Sequence, residues 1–401
     1  MRLRVVPYLL LICLISIAAS TYAAQVTSYR VGEDARLDLT NFGGLIVDKG
    51  GNIWFAAIYD PGIIWPPDVS KPALCRLDPK NGRVITYILP SAIGEPGALA
   101  YDAPRNVIWI ADSESHTLSK FQTINRRVTV YYIPVLPGDM ADFQSIAVDG
   151  YGRVFCALKD SSAIAVFDPA TPTILTSYDV PTPYSLAVDS TGESVWFTSG
   201  PSSGGWIYSL LEPSVPQWTQ WSTAGTNVNT ICLKWDAVEE MLYLTASGAN
   251  AIGVAAPTVS PLVLKRYDVC TAGSGVYGVA IEGSTGVAWV TQPLNGGVAR
   301  IDTEAAVGTD VPIVLSSAAL IIATTEPVDR PWVYQLPPHR GIAPASKWHI
   351  GPSDECPADE VEEFMWSASS MPSAAAVKKV AGGYETWVAD IFDDAIVKIV
   401  R

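Results

Sequence analysis

Residues 143–181 read Phe143-QSIAVDGYGRVFCALKDSSAIAVFDPATPTILTSYDVP, and much of the remaining chain repeats that phrase. Four short apolar runs (SIAVD, RVFCAL, AIAVFD and ILTSYDV) are separated by turn formers: Gly150 and Gly152, then Asp160, Ser161 and Ser162, then Pro169 and Pro172. Runs of this length, rich in Val, Ile, Phe and Tyr, predict a four-stranded antiparallel meander. One such sheet cannot bury both of its faces. A chain that repeats it at a period of about 40–50 residues is expected to stack the sheets radially as a β-propeller.

The second strand sets the register, because each copy carries a large aromatic near its centre: Trp54, Trp109, Phe155, Trp196, Tyr243, Trp289, Trp332 and Trp387. An apolar first strand precedes each one, as in GLIVD, ALAYD, SLAVD and TICLKW, and third strands such as ALCRLDP and AIVKIVR follow. These copies predict an eight-bladed propeller, or seven blades if the weakest copy, at 319–350, is an insertion. Outer strands end in an aromatic at Tyr87, Tyr132, Tyr178, Trp221, Tyr267 and Trp348, while the outer strand expected of the sixth copy, VPIVLSS at 311–317, lacks it. The last copy stops at its third strand, and Val26-TSYRVG carries Tyr29 in the missing motif. The N-terminal strand is therefore expected to close the ring and remove its free edges. The only helix candidate is the short acidic stretch 359–366.

An even repeat argues for one domain over 24–401, despite a length that would otherwise suggest more. The first 23 residues read differently. Arg2 and Arg4 precede an apolar run from Val5 to Ala19, followed by small residues up to Ala24. This pattern predicts a secretory leader over 1–23, cleaved after Ala23, with an uncleaved N-terminal anchor as the alternative. The run is short for a membrane span, and no second one follows. The expectation is a secreted or cell-surface protein, periplasmic in a Gram-negative cell, with no membrane span in the mature chain. Loss of the leader removes Cys13 and leaves Cys75, Cys156, Cys232, Cys270 and Cys356, an odd number. The first three fall inside strands, where a buried Cys acts as a small hydrophobe. Cys270 and Cys356 fall in loops on one face, where a bridge is conceivable. Forty acidic against 26 basic residues give a net charge of −14, and no basic stripe interrupts it, which disfavours nucleic acid as a partner.

In such a meander, the loops after second strands share one end of the sheet with the blade-to-blade links; this end is the top. Asp48, Asp102, Asp149 and Asp189 end first strands at the opposite end, and Asx-turn capping accounts for them. The top collects most other acids, densest from the link before the last blade round to the second blade. Asp112 and Asp390 end second strands there, and Glu114, Asp393 and Asp394 follow on the same loops. These five are the candidate metal ligands; hard oxygen donors of this kind suit Ca²⁺ or Mg²⁺ and not zinc. His116 and His339 also fall on top loops and are the candidates for acid–base chemistry, although their blades face each other across the channel. His349 falls in an outer strand and reads as structural.

The phrases GLIVDKGGNIWFA, SIAVDGYGRVFCAL and SLAVDSTGESVWFTS, with RLDPKNGRVITYILP, resemble the repeats of streptogramin (virginiamycin B) lyase-like and NHL-type propellers. The resemblance spans essentially the whole mature chain. It implies a metal-assisted elimination that opens a cyclic depsipeptide, with His and Glu at the top of the channel. The Glu follows the second strand in a WFTE-like run. Matching positions here are Ala57, Asp112, Leu158, Ser199, Ala246, Gln292, Gln335 and Asp390, of which only Asp112 and Asp390 are acidic. Paired histidines in consecutive blades are absent from the sequence.

The expected function is therefore a binding or scaffold module that takes a protein or small-molecule ligand, basic in character, on its acidic top face. The competing reading is a divalent-metal-dependent lyase or hydrolase related to the streptogramin lyases.

Overall fold

The computed structural model describes residues 25–30, 37–39, 44–60, 70–133, 142–180, 182–199, 206–211, 217–222, 230–257, 263–269, 272–282, 285–294, 297–304, 309–312, 361–365, 372–380, 383–390 and 395–400. Among these residues, every regular element is a β-strand apart from one 3-10 turn at Ser247–Ala249. They form an all-β propeller of four-stranded antiparallel blades.

Among the described residues, seven sheets follow one another along the chain. The first has a split inner strand, Leu37–Leu39 and Leu45–Val47, both paired with Ile53–Tyr59; Lys71–Asp78 and Arg83–Ile88 complete it. The second runs from Pro96–Asp102 through Val107–Asp112 and Thr117–Gln122 to Arg127–Tyr132. The third comprises Phe143–Val148, Val154–Leu158, Ala163–Asp168 and Thr173–Asp179. Pro183–Val188, Ser194–Ser199, Trp206–Leu211 and Gln217–Ser222 make the fourth. Thr230–Asp236, Met241–Ala246, Ala251–Ala255 and Val263–Asp268 form the fifth, which gains Thr309–Pro312 on its outer edge. The sixth has Val279–Glu282, Val287–Gln292 and Gly297–Asp302, with Val361–Met365 outermost. The closing sheet consists of Pro372–Val380, Gly383–Asp390 and Ala395–Val400, with Gln25–Arg30 as its outer strand.

That last pairing is the expected ring closure. Gln25 lies opposite Val400 and Arg30 opposite Ala395, antiparallel along the whole strand.

The expectation of eight blades is corrected. Inner strands touch in sequence round the ring, and that of the sixth sheet packs directly on that of the closing sheet. Val279, Val287 and Ala288 share one apolar cluster with Ala375, Val377 and Val388. A further blade at this point would have to separate two faces that are already packed. The copy at 319–350, with Trp332, His339, Trp348 and His349, lies outside the described residues.

Two edge assignments also change. Residues 309–312 do not complete the sixth sheet; they pair with the outer strand of the fifth. The third strand of the sixth sheet is thus left open, and Val361–Met365 fills it with Arg300 opposite Glu362. Within the best helix candidate, 359–366, residues 361–365 therefore form a strand. An unpaired ladder offers backbone partners that outweigh a short segment's local preference.

The core follows the expected aromatics. Trp54, Trp109, Phe155, Trp196, Tyr243, Trp289 and Trp387 are all buried. Trp54 stacks on Tyr87 with ring centroids 5.6 Å apart, and Trp196 on Trp235 at 4.7 Å. In the second sheet the register differs by one residue. Tyr131, not Tyr132, packs on Trp109 and Phe167, while Tyr132 is 70% exposed. Successive strand residues face opposite sides, so the slip of one sends Tyr132 to solvent. Cys75, Cys156 and Cys232 are buried and outside any disulfide, as expected of small hydrophobes. Cys270 and Cys356 lie outside the described residues.

The aspartates that end first strands are turn caps. Asp48 Oδ1 accepts from the Gly50 and Asn52 N–H groups, and its Oδ2 accepts from Trp54 Nε1 at 2.8 Å. Asp149, Asp189 and Asp102 accept in the same way from Tyr151, Thr191 and Arg105 N–H. The tight turn places Gly51 at φ +77°, which a side chain would resist, and Lys378 occupies the space a Cβ would need.

Candidate functional site

The top face assembles as the topology dictates, with loops after second strands meeting the sheet-to-sheet links. Asp112 ends Val107–Asp112 and is buried. Its Oδ1 accepts from the N–H groups of Glu114 at 2.9 Å and Ser115 at 3.1 Å, and its Oδ2 accepts from Gly94 N–H in the preceding link. The carboxylate therefore caps its own loop and ties down the link. Charge-assisted bonds to three N–H groups leave it little to offer a cation. Glu114 is exposed beside Gly94. His116 is half-buried at φ +54°, and its carbonyl accepts from Ile133 N–H, so its backbone turns the hairpin.

The structure brings Asp112 and Glu114 onto one loop. Asp390 ends Gly383–Asp390, with its backbone opposite Ala395. Asp393, Asp394 and His339 lie outside the described residues. Among the described residues, no group of three or more His, Cys, Asp or Glu side chains converges. The acid that resemblance would place in a metal site thus does not fit one at Asp112. At the other matching positions that are described, Ala57, Leu158, Ala246 and Gln292 are buried, and Ser199 ends its strand. Across the third sheet, Lys159 Nζ reaches Asp142 Oδ2 at 3.2 Å, joining a loop to a link.

The channel itself holds the feature that the sequence reading passed over. Inner strands of the first five sheets line a cavity of about 160 Å³, with Ser145, Ser185 and Lys234 among its polar residues. In each inner strand, one residue stands opposite the core aromatic of the second strand. That residue is Ile46, Ala100, Ala147, Ala187, Ala280 or Ala376 in six sheets, and Lys234 in the fifth. A lysine in an otherwise apolar phrase, TICLKW, was the available signal. Lys234 is half-buried and lies on the cavity wall. Desolvation there pushes its ammonium down to about 8, and nearby Cys232 pulls weakly the other way.

Local backbone geometry explains the serines. Inner strands bulge at their top ends, between Phe143 and Ser145 and between Pro183 and Leu186. The displaced N–H groups are caught by side chains. Ser145 Oγ accepts from Leu186 N–H and Ser185 Oγ from Leu233 N–H, each on the next sheet round. Thr198, Thr245 and Thr291 do the same within their own sheets, for Ser185, Cys232 and Gly278 N–H. Near the same strands, burial raises the hydroxyl of Tyr184 to about 12 and that of Tyr277 further still, so both stay neutral donors.

No protein-family model and no curated protein sequence matches the chain. Solved structures do resemble it. Virginiamycin B lyase from Staphylococcus aureus superposes with a TM-score of 0.62 at 12% identity, over 94% of this chain and 100% of that one. Hydrazine synthase from Kuenenia stuttgartiensis gives 0.57 at 10%, covering 91% and 96%. The periplasmic gluconolactonase of Pseudomonas aeruginosa gives 0.50 at 14%, covering 70% and 87%. At such identities the likeness is one of fold, and many unrelated activities share this fold.

Proposed function

We propose that the chain is an exported binding propeller that takes a cationic or basic ligand on its acidic top face. The observation that carries this reading is the state of Asp112. It is the one acid at a lyase-like position whose surroundings are described, and its carboxylate is spent on three backbone N–H groups. Ala57, Leu158, Ser199, Ala246 and Gln292, at other positions of that set, carry no acid or base. Glu114, an exposed carboxylate of the same face, acts through its field. A net charge of −14 supports attraction of a cationic partner, weakened by salt.

Glu114, Asp393 and Asp394 are the proposed cation pole, with Ca²⁺ or Mg²⁺ as the simplest ligand. Protein stripped with chelator should melt at a higher temperature when either ion is added, because an ion that binds only the folded state stabilises it. The shift should vanish in a variant combining Glu114→Gln, Asp393→Asn and Asp394→Asn, and an oligolysine peptide should bind the parent with an affinity that falls as salt rises. A parent that neither shifts with the ions nor binds the peptide would defeat the reading. The competing lyase reading would instead be supported if the protein with Mg²⁺ opened the ring of virginiamycin B, followed by chromatography.

A further inference from the structure

Lys234 is the charged side chain lining the channel cavity, and among the described residues no carboxylate pairs with it. A cation held away from bulk water without a counter-charge is costly unless something compensates it. Its neighbours in the cavity are also donors. Ser145 and Ser185 each accept a backbone N–H at Oγ, which leaves each hydroxyl hydrogen free to point elsewhere. Three donors thus line one cavity. Leu99, Ile146, Leu186 and Val188 are among the other residues of its wall, and the surface the cavity exposes is mainly polar.

We propose that this channel cavity is a binding site for a small organic carboxylate, whose charge is met by Lys234 and whose oxygens accept from the Ser145 and Ser185 hydroxyls. The chemistry is complementary: carboxylate oxygens face the three donors within a small, mainly polar cavity. A volume of about 160 Å³ is on the order of ten times the space a single water requires, enough for an acid of a few heavy atoms. This site is separate from the top-face carboxylates and does not depend on their role. It also explains why one inner strand breaks the Ala and Ile pattern of the other six with a lysine.

The probe is sodium acetate, titrated calorimetrically into the full mature chain near neutral pH at constant ionic strength. Saturable one-to-one binding is expected. Lys234→Met, which keeps the length of the side chain and removes the charge, should weaken it by a factor of about 10 to 100, the worth of a charged hydrogen bond. Absence of saturation in the parent, or equal binding by a folded Lys234→Met variant, overturns the proposal. A second measurement needs no variant. Reductive methylation of the parent, read by peptide mass spectrometry, should be slowed by acetate at Lys234 and left unchanged at the exposed Lys49. Equal labelling of Lys234 with and without acetate also overturns it.

Discussion

Lys234 and Glu385 show how much a single buried charge decides. Folding pushes Lys234 down to about 8, below an unfolded value of about 10.4. Between those values the unfolded chain binds more protons than the folded one, so this site adds stability as pH rises through the window. Below it, the folded chain carries the full cost of the charge. Lys234→Met removes that cost. The variant should exceed the parent in stability by at most about 3 kcal/mol below pH 8, with the gap closing toward about pH 10.5. Urea unfolding of both proteins across that range checks it, and a gap independent of pH would refute the assignment. Glu385 presents the opposite case. It is buried between Lys398, whose Nζ lies 2.5 Å from Oε1, and Lys378, 3.7 Å from Oε2. Lys398 also sits over the Trp387 ring. Glu385→Gln would leave two buried ammonium groups facing each other and should cost about 3–5 kcal/mol. A loss under about 1 kcal/mol, typical of an exposed pair, would show that water reaches the cluster.

At the scale of elements, the strand Gln25–Arg30 covers the edge of Ala395–Val400, where Ile396, Val397 and Ile399 are buried. Deleting 26–32 uncovers that ladder. Its loss should cost on the order of 5 kcal/mol, from roughly one net kcal/mol per hydrogen bond, and promote edge-to-edge aggregation. Thermal melts with light scattering measure both effects; a truncated protein that melts like the parent would mean that closure adds nothing. The same edge physics placed 361–365 as a strand on the sixth sheet. An acidic stretch with weak local preference took the conformation that the open ladder required. Only the fold reveals that the ladder was open, because the segment expected to fill it had joined the fifth sheet.

For the whole molecule, the proposal of an exported protein rests on the leader at 1–23. Mass spectrometry of the natural protein should find an N-terminus near Ala24. Residues 1–20 found intact would favour an anchor. Among the described residues, no helix is long and apolar enough to cross a membrane. The ring also limits what the top face can do. Its loops are held by links from the neighbouring sheet, as Gly94 is held by Asp112 and Asp142 by Lys159, so groups on adjacent sheets keep fixed separations. Such a face suits recognition of a ligand with spaced charges.

Repetition made most of this architecture legible before any coordinates. Strand order, the aromatic at the centre of each second strand, the aspartate caps and the N-terminal closure all follow from period-two patterns and turn residues, which act within a few positions of themselves. The tertiary structure decided what depends on distant partners. The number of sheets turned on whether the sixth and closing sheets could touch, a matter of packing between Val279 and Val377 and not of phrase matching. Asp112 read as a free ligand because its third hydrogen bond comes from Gly94, on a different element. Lys234 read as an irregularity in TICLKW. It became a candidate site only when five inner strands, drawn from nearly two hundred positions of sequence, met around one cavity.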